Sequence, residues 1–546
     1  MPKLARVTLL TIIIACGDDA SLNSAPPIGA NEVRVTPSVV ELTPGATRAL
    51  QVTVSDEAGR PVALPAVSWT STNTAVATVN EAGTVTAVSI GSAHIIARNS
   101  ASADSADVRV VPPAPTGAFI EVYPDLEYQE ILGWEGTAQL GENECNPAAF
   151  NASQPELVNR VVNELGINRV RLETRSGHEN PVDHYTAYRD SHQPSTWYPY
   201  RYESINDNDD PAIARPGGFQ FTELDHKVEV VIAPMRALLA ARGERLYVNL
   251  TYVDFRSAAW EQTSNPAEYA ELIHAAFVHL QSRYGWVPDA VEVILEPDNT
   301  QNWTAEVIGR AIVAAGDRLK AAGFRPAFIA PSNTNMRSAL EYLNGVVSVP
   351  RVLEYLTDVA YHRYEGVSSE TVAALAARAN ELGLRTAMLE HIESGHHDLH
   401  EDLRLGQNSA WQQFTLAYCE SDNGAHYYFF DQNVQSRSSA TMGDRTRYLR
   451  QYFSFVRLNA RRVGAVSGDG RLDPLAFRNV NGKMVVVVKT TSGAPVTIQR
   501  LPPGTYGVTY TTASESFVAG NDIAVGSSGT LQVTMPGAGV ITIHQR

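Results

Sequence analysis

Cysteine is scarce, with three residues in 546. No compact cysteine–histidine cluster surrounds them, which excludes a zinc-finger-like metal site. Basic blocks are lacking too. Lys and Arg number 43 against 59 Asp and Glu, a net charge of −16, so nothing supplies the cationic footprint that a phosphate backbone requires. Nucleic acid is therefore not an expected partner, and the negative balance suits a solvated surface. After the first residues no run is long and apolar enough to read as a membrane span. No Ser–His–Asp or Cys–His arrangement emerges either, which argues against a protease. What is present is 44% hydrophobic and 19% charged. That is a globular composition, on a length that suits about two to four domains.

The start of the chain differs in kind. Lys3 and Arg6 lead into the apolar run VTLLTIIIA and then Cys16, a layout that fits an export signal and is too short to span a bilayer. Ile13-Ile14-Ala15-Cys16 resembles a bacterial lipoprotein signal box, which implies lipidation of Cys16. Residues 1–15 are expected to be the signal, and polar residues 16–31 a flexible tether. The expected location is the bacterial cell envelope, lipid-anchored at the outer membrane or cell surface, or outside the cell. Membrane contact would run only through the lipid. Export permits a disulfide between the two remaining cysteines, Cys145 and Cys419.

Residues 32–111 contain short, alternating, β-branched segments such as AVSWTSTNTAVATVN, SAHIIARN and ADVRVV, punctuated by Asp, Gly, Asn and Pro. They predict a small β-sandwich. VPPAPTG, residues 111–117, is a Pro-rich linker. Strand candidates then alternate with amphipathic helical runs: 131–137, 167–173, 246–252, 290–296, 326–331, 357–362, 385–390 and 425–430. SAWQQFTLAYCESD is read as the helix before the last of these. Eight strands with crossovers predict a (β/α)8 TIM barrel over 118–461. In that barrel Cys145 and Cys419 fall near each other; a bridge and two free thiols both stay open. From about 462 the pattern is β again, with an Asn-Gly hairpin turn at 481–482, predicting a C-terminal β-sandwich over 462–546. Residues 118–130 belong either to the barrel or to this sandwich.

Two glutamates carry the chemistry. Glu296 ends the strand-like run in AVEVILEPDN, and Glu390 the one in LRTAMLEHIES. Carboxylates at two strand ends are placed on the catalytic rim of a barrel. A glycosidase needs such a pair: one protonates the leaving oxygen, the other attacks the sugar or activates water. Glu393 competes with Glu390, but sits farther into the loop. Burial beside a second carboxylate is expected to raise the pKa of Glu296 for its acid role. Arg171 and Glu173 point the same way on the second strand, either toward the site or into an ion pair of the barrel. Tyr252, Trp260, Trp303, His362 and Tyr364 fall at or after predicted strand ends and suit a glycan cleft, although aromatics also fill cores. The polar insertion at 183–210, which includes Trp197, is too long for a routine loop and is expected to wall one end of that cleft.

Two resemblances add to this reading. WTSTNTAVATVNEAGTVTAVSIGSAHIIA resembles the bacterial Ig-like domains of group 2, which implies a spacer or adhesive unit. YQEILGWEGTA and YFSFVRLNARRVGAVSGDGRLDPLAFRNVNGKMVVVVKTT resemble glycoside hydrolase family 30, over roughly residues 118 to 546. That resemblance implies a retaining hydrolase of β-linked glycans, with Glu296 as general acid/base and Glu390 as nucleophile. It implies no metal or organic cofactor, a carbohydrate substrate and no obligate protein partner. The chain departs from the family at Leu295-Glu296-Pro297, where an Asn usually precedes the glutamate; Asn299 is a candidate substitute. It departs again at Gly133-Trp134-Glu135-Gly136, which puts Trp134 and Glu135 among the candidate pocket residues. A transglycosylase and a non-catalytic surface glycan-binding protein are the alternatives.

Overall fold

The computed structural model describes residues 32–546 except 57–59, 61, 64, 65, 101, 114, 256–259, 420, 421 and 431–439. The expected signal, tether and lipidation site at Cys16 lie outside the described residues, as does the side chain of Trp260.

Short strands between Glu32 and Val110 form the N-terminal β-sandwich. Strand Gly91–Arg98 shows why: Ala93, Ile95 and Ala97 turn inward while alternate residues face out, the period of a half-buried strand.

Eight parallel strands come next: Gly133–Thr137, Arg169–Arg175, Tyr247–Val253, Ala290–Glu292, Ala327–Asn335, Leu356–Glu365, Arg385–Glu390 and Asn408–Tyr418. They pair in chain order, and the eighth closes on the first with Gly133 opposite Ala410 and Trp134 opposite Trp411. This is a closed (β/α)8 barrel. The helix Ala305–Ala321 illustrates the outer layer. Thr304 caps it by accepting from the Val307 N–H, and Ile308, Ala311, Ile312, Ala315 and Leu319 make the apolar stripe that packs inward.

The eighth strand corrects the sequence reading. SAWQQFTLAYCESD, expected to be helical, supplies strand Asn408–Tyr418, and the helix before it is His396–Arg404. The run expected to be strand eight appears as His426–Phe429, which pairs with the far half of that strand outside the closed ring. Cys419 therefore sits just past the eighth strand, bonded to Cys145 across the seam of the barrel.

The C-terminal domain is a ten-stranded, mostly antiparallel sheet. Strand Ile120–Ile131 joins it, pairing with Ala460–Ser467 and Ala494–Gln499. Strand Met484–Thr490 is buried on both faces: Val486 and Val488 enter the sandwich core, while Val485 and Val487 pack against the barrel. The domain is thus held to the barrel by apolar surface, in keeping with its unbroken run of valines. The Ig-like domain contacts the opposite side of the barrel from the strand ends that carry the glutamates. Arg109 donates to the Gln407 side chain, at the start of the eighth strand, and to the Glu127 carbonyl.

Candidate active site

The barrel interior holds charge at successive levels. Low in the barrel, Arg169 is ion-paired with Glu135. Higher up, Glu292 accepts from Asn249 (2.9 Å) and Thr251 (2.8 Å). Arg171 then reaches upward to the carboxylate of Glu390. Burying a guanidinium opposes its charge, but Glu390, Glu292 and Glu173 around Arg171 keep it protonated. Glu390 accepts a second hydrogen bond from Tyr364 Oη at 2.9 Å.

Glu296 stands four residues past the fourth strand, at the start of the short helix Pro297–Asn299, in a left-handed backbone conformation, φ 52° and ψ 61°. Such a conformation is costly for a residue with a Cβ and gathers at functional sites. One oxygen meets His362 Nδ1 at 3.0 Å, and the other accepts from Asn299 Nδ2 at 3.1 Å. An oxygen of Glu296, an oxygen of Glu390 and a ring nitrogen of His362 all lie within 4.8 Å of one another. By donor type this trio is the one group among the described residues able to hold a metal ion. The Arg171 guanidinium against Glu390 works electrostatically against a cation there.

The expected rise in the pKa of Glu296 is corrected. Burial does push it up, but the hydrogen bond and charge of His362, the Asn299 amide and the Arg171 charge outweigh that. The carboxyl is held below its ordinary value, so partners rather than burial decide its charge.

Of the candidate residues, the structure brings together Glu296, Glu390, Arg171, Asn299, His362 and Tyr364. Glu173, paired with Arg175 at 2.8 Å, lines the same cleft. Four others are not at the cleft. Trp134 turns outward, stacks on Phe453 and donates to the Val456 carbonyl. Glu135 is committed to Arg169 inside the barrel. Tyr252 and Trp303 pack on each other and on Tyr269, in an aromatic cluster behind the strands. Alternation explains this: Arg171 and Glu173 share the inward face, whereas Trp134 and Tyr252 face out.

The cleft holds about 220 Å³. Its remaining walls include Asn143 and Glu144 from the loop after the first strand, Trp197, Arg201 and Tyr202 from the insertion, and Phe414 from the eighth strand. Leu295 joins Tyr202 and Val253 in a small apolar patch of the wall. The length of the insertion was the signal that pointed to Trp197; nothing in the sequence singled out Arg201 or Glu144.

A second group of buried carboxylates lies behind the insertion. Glu179 accepts from Gln262 Nε2 at 2.7 Å and from the Asp207 N–H at 3.2 Å. Both oxygens of Glu271 and one of Glu268 are buried without a hydrogen-bond donor, and Arg318 stands 4.0 Å from Glu271. Burial, reinforced by neighbouring carboxylates, pushes Glu179 up to about 7 and Glu271 up to about 8.

Comparison with known proteins agrees with this architecture. Residues 30–110 match the bacterial Ig-like domain (group 2). No curated protein matches the sequence. Among solved structures the chain is similar to a GH30 endoxylanase from Clostridium papyrosolvens, with 15% identity and a TM-score of 0.53 over 78% of this chain and 100% of that one. It is similar to the catalytic domain of GH30 xylanase C from Talaromyces cellulolyticus at 15% identity, TM-score 0.58 and the same coverage. An endo-β1,6-glucanase aligns at 14% identity and TM-score 0.54, over 79% of this chain and 96% of its own. At these identities the likeness defines the fold alone: a TIM barrel with a β-rich C-terminal domain, as in the solved family 30 structures, with the Ig-like domain preceding it.

Proposed function

We propose that the protein is a retaining glycoside hydrolase acting on β-linked glycans. The observation that carries this is the approach of the Glu296 and Glu390 carboxylates to within 4.8 Å on a barrel rim. Retaining enzymes hold their carboxyl groups roughly 5–5.5 Å apart, whereas inverting enzymes need roughly 6.5–9.5 Å to admit water between them. Arg171 and Tyr364 hold Glu390 by an ion pair and a hydrogen bond, which fixes the orientation a nucleophile requires. In the first step a Glu390 oxygen bonds to the anomeric carbon as the glycosidic bond breaks, and the leaving oxygen takes a proton from Glu296. In the second, Glu296 removes a proton from water, whose oxygen displaces Glu390 and restores it. Glu296 is held low at rest, and its 3.0 Å hydrogen bond with His362 Nδ1 keeps the carboxyl oriented toward the reacting bond.

The fold's likeness to a xylanase and a β1,6-glucanase supports a polysaccharide or oligosaccharide substrate. Export with a lipid at Cys16 belongs to the same proposal. The Cys145–Cys419 disulfide supports it, because such bonds persist in oxidising compartments. The low pKa of Glu296 favours one second reading, a surface protein that captures glycans without cutting them.

The test is hydrolysis of a panel of β-glycans, read by mass, with the anomer of the first product followed by NMR. Glu296→Gln is expected to lower kcat by about 10²–10⁴, and Glu390→Gln by at least as much. Binding that persists in both variants with no cleavage by the wild type would establish the capture reading instead.

A further inference from the structure

The cleft around Glu296 and Glu390 is walled on the side of the first and second strands, and that wall is built to stay in place. Tyr185 Oη donates to Asn143 Oδ1 at 2.6 Å, and Tyr188 Oη donates to the Asn143 carbonyl. This ties the insertion to the loop after the first strand. That loop is fixed in turn by the Cys145–Cys419 bond and by the Lys227–Glu142 ion pair at 2.5 Å. Trp197 is buried against Tyr185 and Tyr188, with ring centroids 5.1 and 5.3 Å away, and one edge of it reaches the cleft. The space beside this wall, about 220 Å³, falls below the roughly 300–1,000 Å³ of pockets that take drug-sized ligands. It fits about one sugar ring, whereas cutting inside a polymer needs a groove that continues on both sides of the reacting pair.

The wall also offers polar atoms without partners. The Arg201 guanidinium is stacked between Tyr198 and Tyr202, at 5.0 and 4.9 Å, and its buried Nε has no acceptor. A buried oxygen of Glu144 has no donor. Both residues line the cleft, and a sugar hydroxyl both donates and accepts, so the carboxylate and the guanidinium can each take one. The ring at a chain's non-reducing end has a free hydroxyl where an internal ring carries a glycosidic bond.

We propose that the pocket admits the terminal sugar at the non-reducing end of a β-glycan and releases it as a monosaccharide, with Arg201 and Glu144 receiving its hydroxyls. The proposal rests on the glycosidase reading and deepens it to the mode of attack. It sets the chain apart from the endoxylanase and the endo-glucanase whose fold it shares.

The experiment compares 4-nitrophenyl β-glycosides and β-linked xylo- and gluco-oligosaccharides, reduced at one end, with the corresponding polymers. Monosaccharide as the sole early product, with polymer viscosity unchanged, is the expected result. An early ladder of oligosaccharides with a fast fall in viscosity would overturn the terminal mode while leaving the hydrolase reading intact. Absence of cleavage on every substrate would overturn both. Arg201→Met, checked for an unchanged melting temperature, is expected to raise KM for the terminal glycoside about tenfold with a smaller change in kcat, the loss of a hydrogen bond made on binding. An unchanged KM would remove Arg201 from the assignment.

Discussion

The chain buries two groups of carboxylates beside one barrel and treats them in opposite ways. Around Glu296 and Glu390, oxygens meet Arg171, Tyr364, His362 and Asn299, and Glu296 is held below its ordinary pKa. Around Glu179, Glu268 and Glu271, two of the three side chains have oxygens with no donor, one arginine stands off at 4.0 Å, and the acids of Glu179 and Glu271 are pushed up to about 7 and 8. Both groups are buried, so burial does not separate them. The supply of donors and cations does: it holds Glu296 below its ordinary value and leaves Glu179 and Glu271 above theirs.

The largest expected effect comes from stripping the first group of its cation. Arg171→Met leaves Glu390 as a buried charge without its ion pair. A loss of about 3–5 kcal/mol in urea unfolding is expected, with activity falling alongside it. A variant as stable as the wild type would show that Arg171 does not compensate Glu390.

The second group predicts a pH dependence of stability. Folding raises the pKa of Glu179 and Glu271 above the ordinary glutamate value of 4.5. Their contribution is complete below that value, is lost as pH rises toward the folded values near 7 and 8, and is gone above them. Within that window each group lowers stability by up to about 1.4 kcal/mol per pH unit. Denaturation midpoints followed from about pH 5 to 9 should fall and then level off. A curve that rises across this window would reverse the comparison.

Glu271→Gln sharpens the same point. A neutral amide should remove its share of that slope and leave the protein more stable at about pH 8, on the order of 1 kcal/mol. The smallest effect belongs to Asn299→Ala. It removes one donor from Glu296, the acid of the first step, so the alkaline limb of the kcat/KM profile should move upward by less than about one pH unit. A downward shift would mean that the amide does not stabilise the ionised carboxylate.

The elements that could be read from the sequence were those with a clean period or a sharp end. Glu296 and Glu390 each closed an apolar run, and both stand on the rim. The eighth strand misled because it is buried on both faces, Gln412 and Gln413 included, so Asn408–Tyr418 shows no alternation. The helix His396–Arg404 hid for the converse reason. Leu399 and Leu403 are its only buried apolar residues, a stripe too thin to register. Tyr252 and Trp303 were placed by residue type at or after strand ends, and Trp134 and Glu135 by their place in a motif; Trp134 and Tyr252 face out of the barrel, and Glu135 faces in but is paired low inside it. Arg201 could not have been found, because its place in the cleft wall, stacked on Tyr198 and Tyr202, is a fact of three-dimensional packing.

The docking of the Ig-like domain settles a matter of orientation. Arg109 fastens it beside Gln407, where the eighth strand begins, while Glu296 and Glu390 stand at or past the ends of their strands. The chain therefore passes from the Ig-like domain into the barrel by its base, and the mouth of the cleft looks the other way. Held by its N-terminal side to any surface, the protein would present that mouth outward, clear of its own support, to material arriving from beyond.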